Sequence, residues 1–271
     1  MYDFSFGDKD YILENQEDFL IFCKRLLPRW INGIPDSECL AIYRTLKNNN
    51  KESQILVETG CGASSLALFL HASLTGGKVY SWDTNGSKGA FLRSVISDSI
   101  CRVLDIDLHK VWKFISFDST NPYVGIRVME ELNLNPSFGF FDSWHTLDHL
   151  MKEINHFEFV AANKFIIALD DAYYCKKYEN FSYINMLRKK LSLNVVEEPE
   201  DNVCKPFYIE VEKYLKSKYK NVKKINDSYK NDYKDDIFFN YYNGDRMFIN
   251  ELGMEQKEEL EHRFDAWQVI K

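Results

Sequence analysis

Five apolar runs in this chain each end in acidic residues, which are the side chains best suited to chemistry. They are Glu58, Asp83, Asp118, Asp142 and the neighbouring pair Asp170 and Asp171. If the runs are strands of a doubly wound sheet, ligands bind outside their carboxyl ends, where these acids stand. Carboxylates at that edge accept hydrogen bonds from sugar hydroxyls, attract cationic groups and bind divalent metals. The acids are therefore the first candidates for a binding site.

A glycine turn follows the first of these runs, in the segment ILVETGCGASS. Gly60 and Gly62 lack a Cβ and let a ligand approach the backbone closely, and Ser64 and Ser65 can cap the helix that follows. At the strand tip, Glu58 would repel a pyrophosphate and attract the ammonium and sulfonium groups of S-adenosylmethionine (SAM). Ser65 also stands where a dinucleotide fingerprint has its third glycine. The turn therefore favours SAM, with a nicotinamide or flavin nucleotide and a purely structural turn as alternatives.

The next two acids fit the nucleoside part of such a cofactor. Asp83 lies about twenty residues past the glycine turn, the placement of a carboxylate that accepts both ribose hydroxyls. Asp118 and Ser119 end the following run, where an adenine edge could be read. Each acid alone has a plainer explanation as a turn or helix cap. Together they favour a nucleoside cofactor.

The composition is that of an acidic globular protein. Its 271 residues suffice for one large α/β domain with an appendage, and 45% of them are hydrophobic. The net charge of −7 argues against a nucleic-acid partner, which would need a basic face. The six cysteines form no C-x-x-C pair, no basic leader precedes an apolar stretch, and no apolar run reaches the roughly 18 residues of a membrane helix. We expect a cytoplasmic protein that binds neither nucleic acid nor membrane.

Hydrophobic periodicity predicts an alternation of strands and helices between the glycine turn and the last acids. The predicted strands cover residues 54–58, 78–83, 111–117, 138–142 and 164–169, and the predicted helices cover residues 64–74, 89–104, 125–132 and 146–159. Five strands with helical crossovers indicate a mainly parallel, doubly wound α/β sheet.

Further elements are predicted on either side of this alternation. Helices over residues 15–27 and 35–47 form an N-terminal helical cover. Strand-like runs at residues 221–226 and 237–242 close the sheet as an antiparallel pair, which gives seven strands. The helical spacing of apolar residues predicts a last amphipathic helix over residues 254–267.

The chain resembles the class I SAM-dependent methyltransferases over most of its length, and the signs are the E-x-G-x-G turn, the acid after the second strand and the closing antiparallel pair. The resemblance implies that SAM binds at Glu58, Gly60, Gly62, Ser64, Asp83, Asp118 and Ser119. The first motif would surround the methionine part of SAM, Asp83 would bind the ribose, and Asp118 with Ser119 would border the adenine. The implied parts are a helical cover (residues 1–50), a Rossmann-like methyltransferase domain (51–250) and a C-terminal helix packed on it (251–271).

Within this class, the segments FFDSWH and ALDD resemble the metal-dependent O-methyltransferases, such as catechol methyltransferase, and especially the macrocin-type sugar O-methyltransferases. That resemblance implies a magnesium ion held by Asp142, Asp170 and Asp171. Carboxylates at the tips of adjacent strands, about 4.8 Å apart, can share a cation, and oxygen ligands suit magnesium. Asp170 and Asp171 would point to opposite faces if both lay within the strand, so both can bind only if the strand ends at Leu169 or Asp170.

Two histidines follow the fourth acid. His145 lies three residues past Asp142 and could serve as the general base, as a contact to substrate or cofactor, or as a plain capping residue. His149 lies on the same helical face, which on its own is a weak signal for zinc. The expected catalytic residues are Asp142 and His145.

The sequence thus predicts methyl transfer from SAM to a hydroxyl of a small molecule or sugar, with magnesium assistance. Three alternatives stay open: a metal-free O- or N-methyltransferase, a nicotinamide-nucleotide oxidoreductase, and a non-catalytic SAM-binding protein. A small-molecule or sugar acceptor is the expected partner, and a homodimer is an open alternative to a monomer.

Overall fold

The computed structural model describes the greater part of the chain. The described residues are 9–28, 30–49, 54–144, 146–170, 172, 188–194, 207–225 and 264–271. His145, Asp171, the predicted strand at residues 237–242 and most of the predicted helix over residues 254–267 lie outside them. Within the described ranges, every helix is too short or too polar to cross a bilayer.

Seven strands form a single sheet. They are β1 (Ile55–Thr59), β2 (Lys78–Trp82), β3 (Trp112–Ile115), β4 (Phe138–Phe141), β5 (Lys164–Leu169), β6 (Asn221–Lys224) and β7 (Asp265–Ile270). Their order is β3-β2-β1-β4-β5-β7-β6. The first five strands pair in parallel, and β7 pairs antiparallel with both β5 and β6. The doubly wound α/β sheet predicted from the sequence, with seven strands and an antiparallel last pair, is confirmed.

Helices precede the sheet and connect its strands. They are α1 (Lys9–Glu14), α2 (Gln16–Arg25), α3 (Asp36–Asn49), α4 (Ser64–Thr75), α5 (Gly86–Ile96), α6 (Arg102–Leu104), α7 (Leu108–Val111), α8 (Val128–Glu131), α9 (Leu147–Val160) and α10 (Phe207–Lys218). A π-helical turn, Ser97–Cys101, joins α5 to α6. The predicted helices over residues 15–27 and 35–47 correspond to α2 and α3.

Both faces of the sheet are buried, and β1 shows how. Leu56 packs in an apolar core with α2, α3 and α4, whereas Val57 packs in a second core with α9 and α10. Successive side chains of a strand point to opposite faces, so a strand buried on both sides has a continuous apolar sequence. The two cores fix the parallel strands so that their carboxyl ends meet at one edge.

The N-terminal helices pack on the sheet through α4. Helices α2 and α3 contact each other, and both contact α4. Lys24 donates to Asp36 Oδ1 at 2.8 Å, and Arg25 donates to Asp36 Oδ2 at 2.9 Å. Since Asp36 is fully buried, these two cations compensate its charge. The helices of the predicted cover are present, and the boundary of the cover at residue 50 stays a prediction.

The last strand corrects the sequence analysis. The apolar spacing predicts a helix that ends at Trp267, but β7 begins at Asp265. Phe264 and Ala266 pack in the core on one face of the sheet, and Trp267 and Val269 pack in the core on the other. This alternation has the period of a strand. The predicted helix is therefore wrong at its C-terminal end. Strand β6 pairs with β7, and the predicted strand at residues 237–242 lies outside the described residues.

Candidate functional site

A cleft of about 320 Å³ opens at the carboxyl ends of β1 to β4. Its described lining residues are Gly60, Trp82, Asp83, Thr84, Asn85, Lys88, Phe117, Asp118, Ser119, Asp142, Ser143, Trp144 and His149. The site residues predicted from the sequence that meet here are Gly60, Asp83, Asp118, Ser119 and Asp142. The volume falls in the range of small-molecule sites, roughly 300–1,000 Å³.

Gly60 allows the backbone after β1 to pack closely against the backbone after β4. Its φ of 79° is a left-handed conformation that favours glycine. A Cβ at this position would lie 1.6 Å from the carbonyl oxygen of Asp142. The backbone N–H of Asp142 also donates to the Thr59 carbonyl at 2.9 Å. The glycine therefore permits the close backbone contact that places Asp142 beside the turn.

The absence of a side chain at Gly62 accommodates another segment of the chain. A Cβ there would lie 2.9 Å from the carbonyl oxygen of Ile31, in the segment between α2 and α3. Its backbone N–H donates to Ser65 Oγ at 3.2 Å, and Gly62 is not among the lining residues of the cleft. The missing side chain lets the N-terminal helical cover approach the turn, and the predicted contact of Gly62 with the cofactor stays a prediction.

Glu58 is fully buried beneath the turn and does not line the cleft. Ser64 Oγ donates to its Oε1 at 2.6 Å, and the hydroxyls of Ser65 and Ser81 donate to its Oε2 at 2.7 Å. Desolvation raises the pKa of Glu58 to about 7, although the three hydroxyl hydrogen bonds act to lower it. Glu58 and Ser64 are thus hydrogen-bonded to each other beneath the turn, and their predicted contact with the cofactor stays a prediction.

We expect Glu58 to make the fold less stable as the pH rises. Its folded-state pKa of about 7 exceeds the ordinary value of 4.5, so the folded chain retains a proton that the unfolded chain loses. This stabilisation is complete below the unfolded-state pKa and is lost as the pH rises through the folded-state pKa. Chemical unfolding at several pH values measures the effect, with Glu58→Gln as a reference that does not titrate. Relative to that variant, the wild-type chain should lose about 3 kcal/mol across the window. A difference independent of pH would contradict the assignment.

Asp83 is bonded directly to the glycine turn. Cys61 N donates to its Oδ2 at 3.0 Å, and Asn85 N donates to its Oδ1 at 2.7 Å. Lys88 Nζ lies 3.2 Å from Oδ2. A carboxylate offers about four acceptor positions, so these contacts leave room for a ligand hydroxyl. The structure places the predicted ribose-binding acid in the cleft with Lys88 as its counter-charge. The sequence analysis missed Lys88, because nothing in its local pattern sets it apart from surface lysines.

Asp118 lies exposed at the rim of the cleft, after β3. Its Oδ1 accepts from Thr120 N at 2.7 Å and from Thr120 Oγ1 at 2.8 Å. Burial acts to raise the pKa of Asp118, but the Thr120 hydrogen bonds and the nearby His149 and His156 lower it below its ordinary value. Asp118 therefore stays ionised and can accept a hydrogen bond from a ligand.

A carboxylate that the sequence analysis missed lies beneath the cleft. Glu153 of α9 is 1% exposed, accepts from Ser119 Oγ, and accepts from Ser143 Oγ at 2.7 Å. His149 Nε2 lies 3.3 Å from the same carboxylate, and this hydrogen bond raises the pKa of His149 against the opposing effect of desolvation. A glutamate on the apolar face of α9, beside Leu150, is the sequence signal that could have found it.

Asp142 and Asp170 follow neighbouring strands, as the predicted metal site requires. Asp170 N donates to the last carbonyl oxygen of β4 at 3.2 Å, and β5 ends at Leu169. This endpoint meets the condition for both Asp170 and its neighbour to bind. Asp171 and His145 lie outside the described residues, and the described ones alone contain no three His, Cys, Asp or Glu side chains grouped around a metal position. The magnesium site stays a prediction.

Two exposed aromatic rings stand at the cleft. Phe117 follows β3 and is 53% exposed, and Trp144 follows β4 and is 70% exposed. Exposed aromatic side chains at a cleft provide flat surfaces on which a planar ring can stack. Neither residue was among the predicted site residues, because a strand-end aromatic has the same sequence pattern as a core residue.

Comparison with known proteins finds similarity in structure only. No family model and no curated protein matches it. An O-methyltransferase from Bacillus cereus, in complex with S-adenosylhomocysteine (SAH), is 10% identical with a TM-score of 0.48, covering 97% of this chain and 96% of that chain. An rRNA methylase from Streptococcus thermophilus is 13% identical with a TM-score of 0.33, covering 72% and 90%.

A third similar structure is the precorrin-6y C5,15-methyltransferase from Geobacter metallireducens. It is 14% identical with a TM-score of 0.36, and the match covers 49% of this chain and 62% of that chain. This chain therefore spans less than two thirds of the precorrin enzyme. The names of the three proteins give three kinds of methyl acceptor.

Proposed function

We propose that this chain is a SAM-dependent methyltransferase. The observation that carries the proposal is the charge of the cleft beside the Gly60 turn. Asp83, Asp118 and Asp142 line it, and Lys88 is the one lysine among its described lining residues. Three carboxylates attract the sulfonium and ammonium groups of SAM and repel the pyrophosphate of a dinucleotide. The acids that face the cleft supply this attraction, and the buried Glu58 does not.

The cleft residues suggest how SAM would lie. Asp83 would accept the two ribose hydroxyls, one at the acceptor position that Cys61 N, Asn85 N and Lys88 Nζ leave open and one in place of the Lys88 contact. Phe117 would stack on the purine, and Asp118 would accept from the purine amino group. The methionine part would lie toward Gly60 and Asp142, where β1 and β4 touch.

The finer proposal is methylation of a hydroxyl of a small molecule or sugar. Its support is the placement of Asp142 and Asp170 at adjacent strand tips, with Asp171 as the third expected ligand. Such a set of oxygen donors suits magnesium. When bound, magnesium would lower the pKa of the acceptor hydroxyl and orient it.

Methyl transfer is an in-line displacement. The acceptor oxygen bonds to the methyl carbon while the carbon–sulfur bond breaks, and the electron pair of that bond stays on the sulfur. The acceptor proton passes to His145 or to a carboxylate of the site. Positioning of the two reactants accounts for most of the acceleration, about 7–11 kcal/mol in a near-attack geometry.

The cofactor class can be tested by tryptophan fluorescence, since Trp82 and Trp144 line the cleft. SAH should quench the emission saturably at micromolar concentration, whereas NAD⁺ should leave it unchanged. Quenching by NAD⁺ and not by SAH would support the oxidoreductase alternative and reject the proposal.

The metal can be tested separately by calorimetric titration with Mg²⁺. The wild-type chain should release or absorb heat on binding, and the Asp142→Asn variant should not. A wild-type chain that binds SAH but not Mg²⁺, with or without SAH present, would favour the metal-free methyltransferase.

A further inference from the structure

Glu153 is a buried charge that the proposed reaction does not use. It lies on the face of α9 that also buries Leu150, Ile154 and Phe157. A carboxylate in such surroundings is strongly destabilising unless polar partners compensate for its lost hydration. The partners of Glu153 therefore indicate its role.

Those partners come from both sides of the cleft. Ser119 follows β3, Ser143 follows β4, and His149 lies in the first turn of α9. All three line the cleft, whereas Glu153 does not. All three contact the same oxygen of Glu153, Oε1. In the sheet, β2 and β1 separate β3 from β4. The contacts of one carboxylate thus span the floor of the cleft.

We propose that Glu153 is a positioning residue that clamps the loops after β3 and β4 together and so preforms the wall that receives the nucleoside part of the cofactor. This inference rests on the proposed function. Because the carboxylate holds His149 Nε2, Nδ1 is the ring nitrogen left to meet a ligand. A preformed wall spares the ordering of both loops at the moment of binding, which strengthens affinity.

Several titratable groups surround His149 and enter its pH dependence. They are Glu153, Lys152 and His156 on α9 and Asp118 after β3, and Asp142 after β4 lines the same cleft. The hydrogen bond to Glu153 has the largest effect on the pKa of His149. Removing the charge of Glu153 should therefore move the titration of His149 to lower pH.

The test compares SAH affinity among three variants by calorimetry. Glu153→Ala removes the shared acceptor, and Glu153→Gln keeps the shape but loses the charge. Glu158→Gln is the matched control, because Glu158 is also a buried acid of α9 but is bonded to Tyr214 and Lys218 of α10, at 2.7 and 2.8 Å. It lies outside the cleft lining.

We expect Glu153→Ala to weaken SAH binding on the order of tenfold or more, as for partners left without an acceptor. Glu153→Gln should weaken it less and should shift the pH at which affinity changes to lower values, because protonated His149 donates from Nδ1 whereas neutral His149 accepts there. Glu158→Gln should keep wild-type affinity at every pH. A purely structural role of Glu153 would leave the pH profile in place.

Two results would overturn the inference alone: wild-type affinity and pH profile in the Glu153→Gln variant, or an equal loss of affinity in Glu158→Gln. Glu153→Gln decides the matter even if Glu153→Ala fails to fold. If the folded wild-type chain does not bind SAH at all, the proposed function fails and this inference fails with it.

Discussion

Asp83→Asn is expected to weaken SAM binding on the order of a hundredfold or more. In the proposed complex, the Asp83 carboxylate accepts two ribose hydroxyls, and hydrogen bonds to a charged group contribute about 1.5–3 kcal/mol each. Their joint loss of about 3–6 kcal/mol corresponds to about 10²–10⁴ in the dissociation constant. The asparagine amide also removes one acceptor from Cys61 N or Lys88, which loosens the turn itself. Calorimetric titration with SAM measures the effect.

The control for this variant is Asp98→Asn. Asp98 is exposed on the π-helical turn and does not line the cleft, so the same change of side chain should leave SAM affinity unaltered. Thermal unfolding of both variants shows whether the fold persists. A folded Asp83→Asn variant that binds SAM within about threefold of the wild-type chain would remove Asp83 from the cofactor site.

Gly60→Ala is expected to have the largest effect on stability. Its Cβ would lie 1.6 Å from the carbonyl oxygen of Asp142 and 3.1 Å from Ser143 N, both backbone atoms that cannot rotate away. The φ of 79° adds strain for any residue with a side chain. The backbone segments that follow β1 and β4 would have to move apart, which should lower the unfolding free energy by about 2–6 kcal/mol. Asp142 would then move away from the turn, so SAM affinity should fall as well.

Gly33→Ala provides the matched comparison. A Cβ at Gly33 meets no atom within 4 Å, so the added methyl group should change the unfolding free energy by less than about 1 kcal/mol. Urea unfolding of the two variants side by side distinguishes the specific effect of a side chain at Gly60 from the general effect of replacing a glycine by alanine. Equal stability of both variants would show that the turn tolerates a side chain.

The central strands were predictable because each is buried on both faces and bounded by polar or turn residues. The prediction for β5, residues 164–169, has the same bounds as the structure, and the prediction for β1 is shifted by one residue at each end. The segment of β7 was not predictable in this way. Its apolar residues fit a helical spacing as well, and pairing with β5, distant in sequence, decides the outcome.

The residues of the candidate site were predictable to different degrees for the same reason. Asp83, Asp118 and Asp142 follow strands, and the fold alone brings them to one edge. The orientation of Glu58 depends on Ser81 of another strand, and the role of Glu153 depends on two loops. Such contacts between segments distant in sequence cannot be read from a local pattern. The position of Glu153 on the apolar face of α9 marks it as buried, but its partners could not be predicted, and neither could those of Glu58 on β2.

Calorimetric titration of the purified wild-type chain with SAM tests the central claim most directly. We predict saturable binding with micromolar affinity at one site per chain. SAM should still bind in the presence of millimolar NAD⁺. A folded chain that shows no heat of binding with SAM at several temperatures, with and without Mg²⁺, would contradict the methyltransferase assignment.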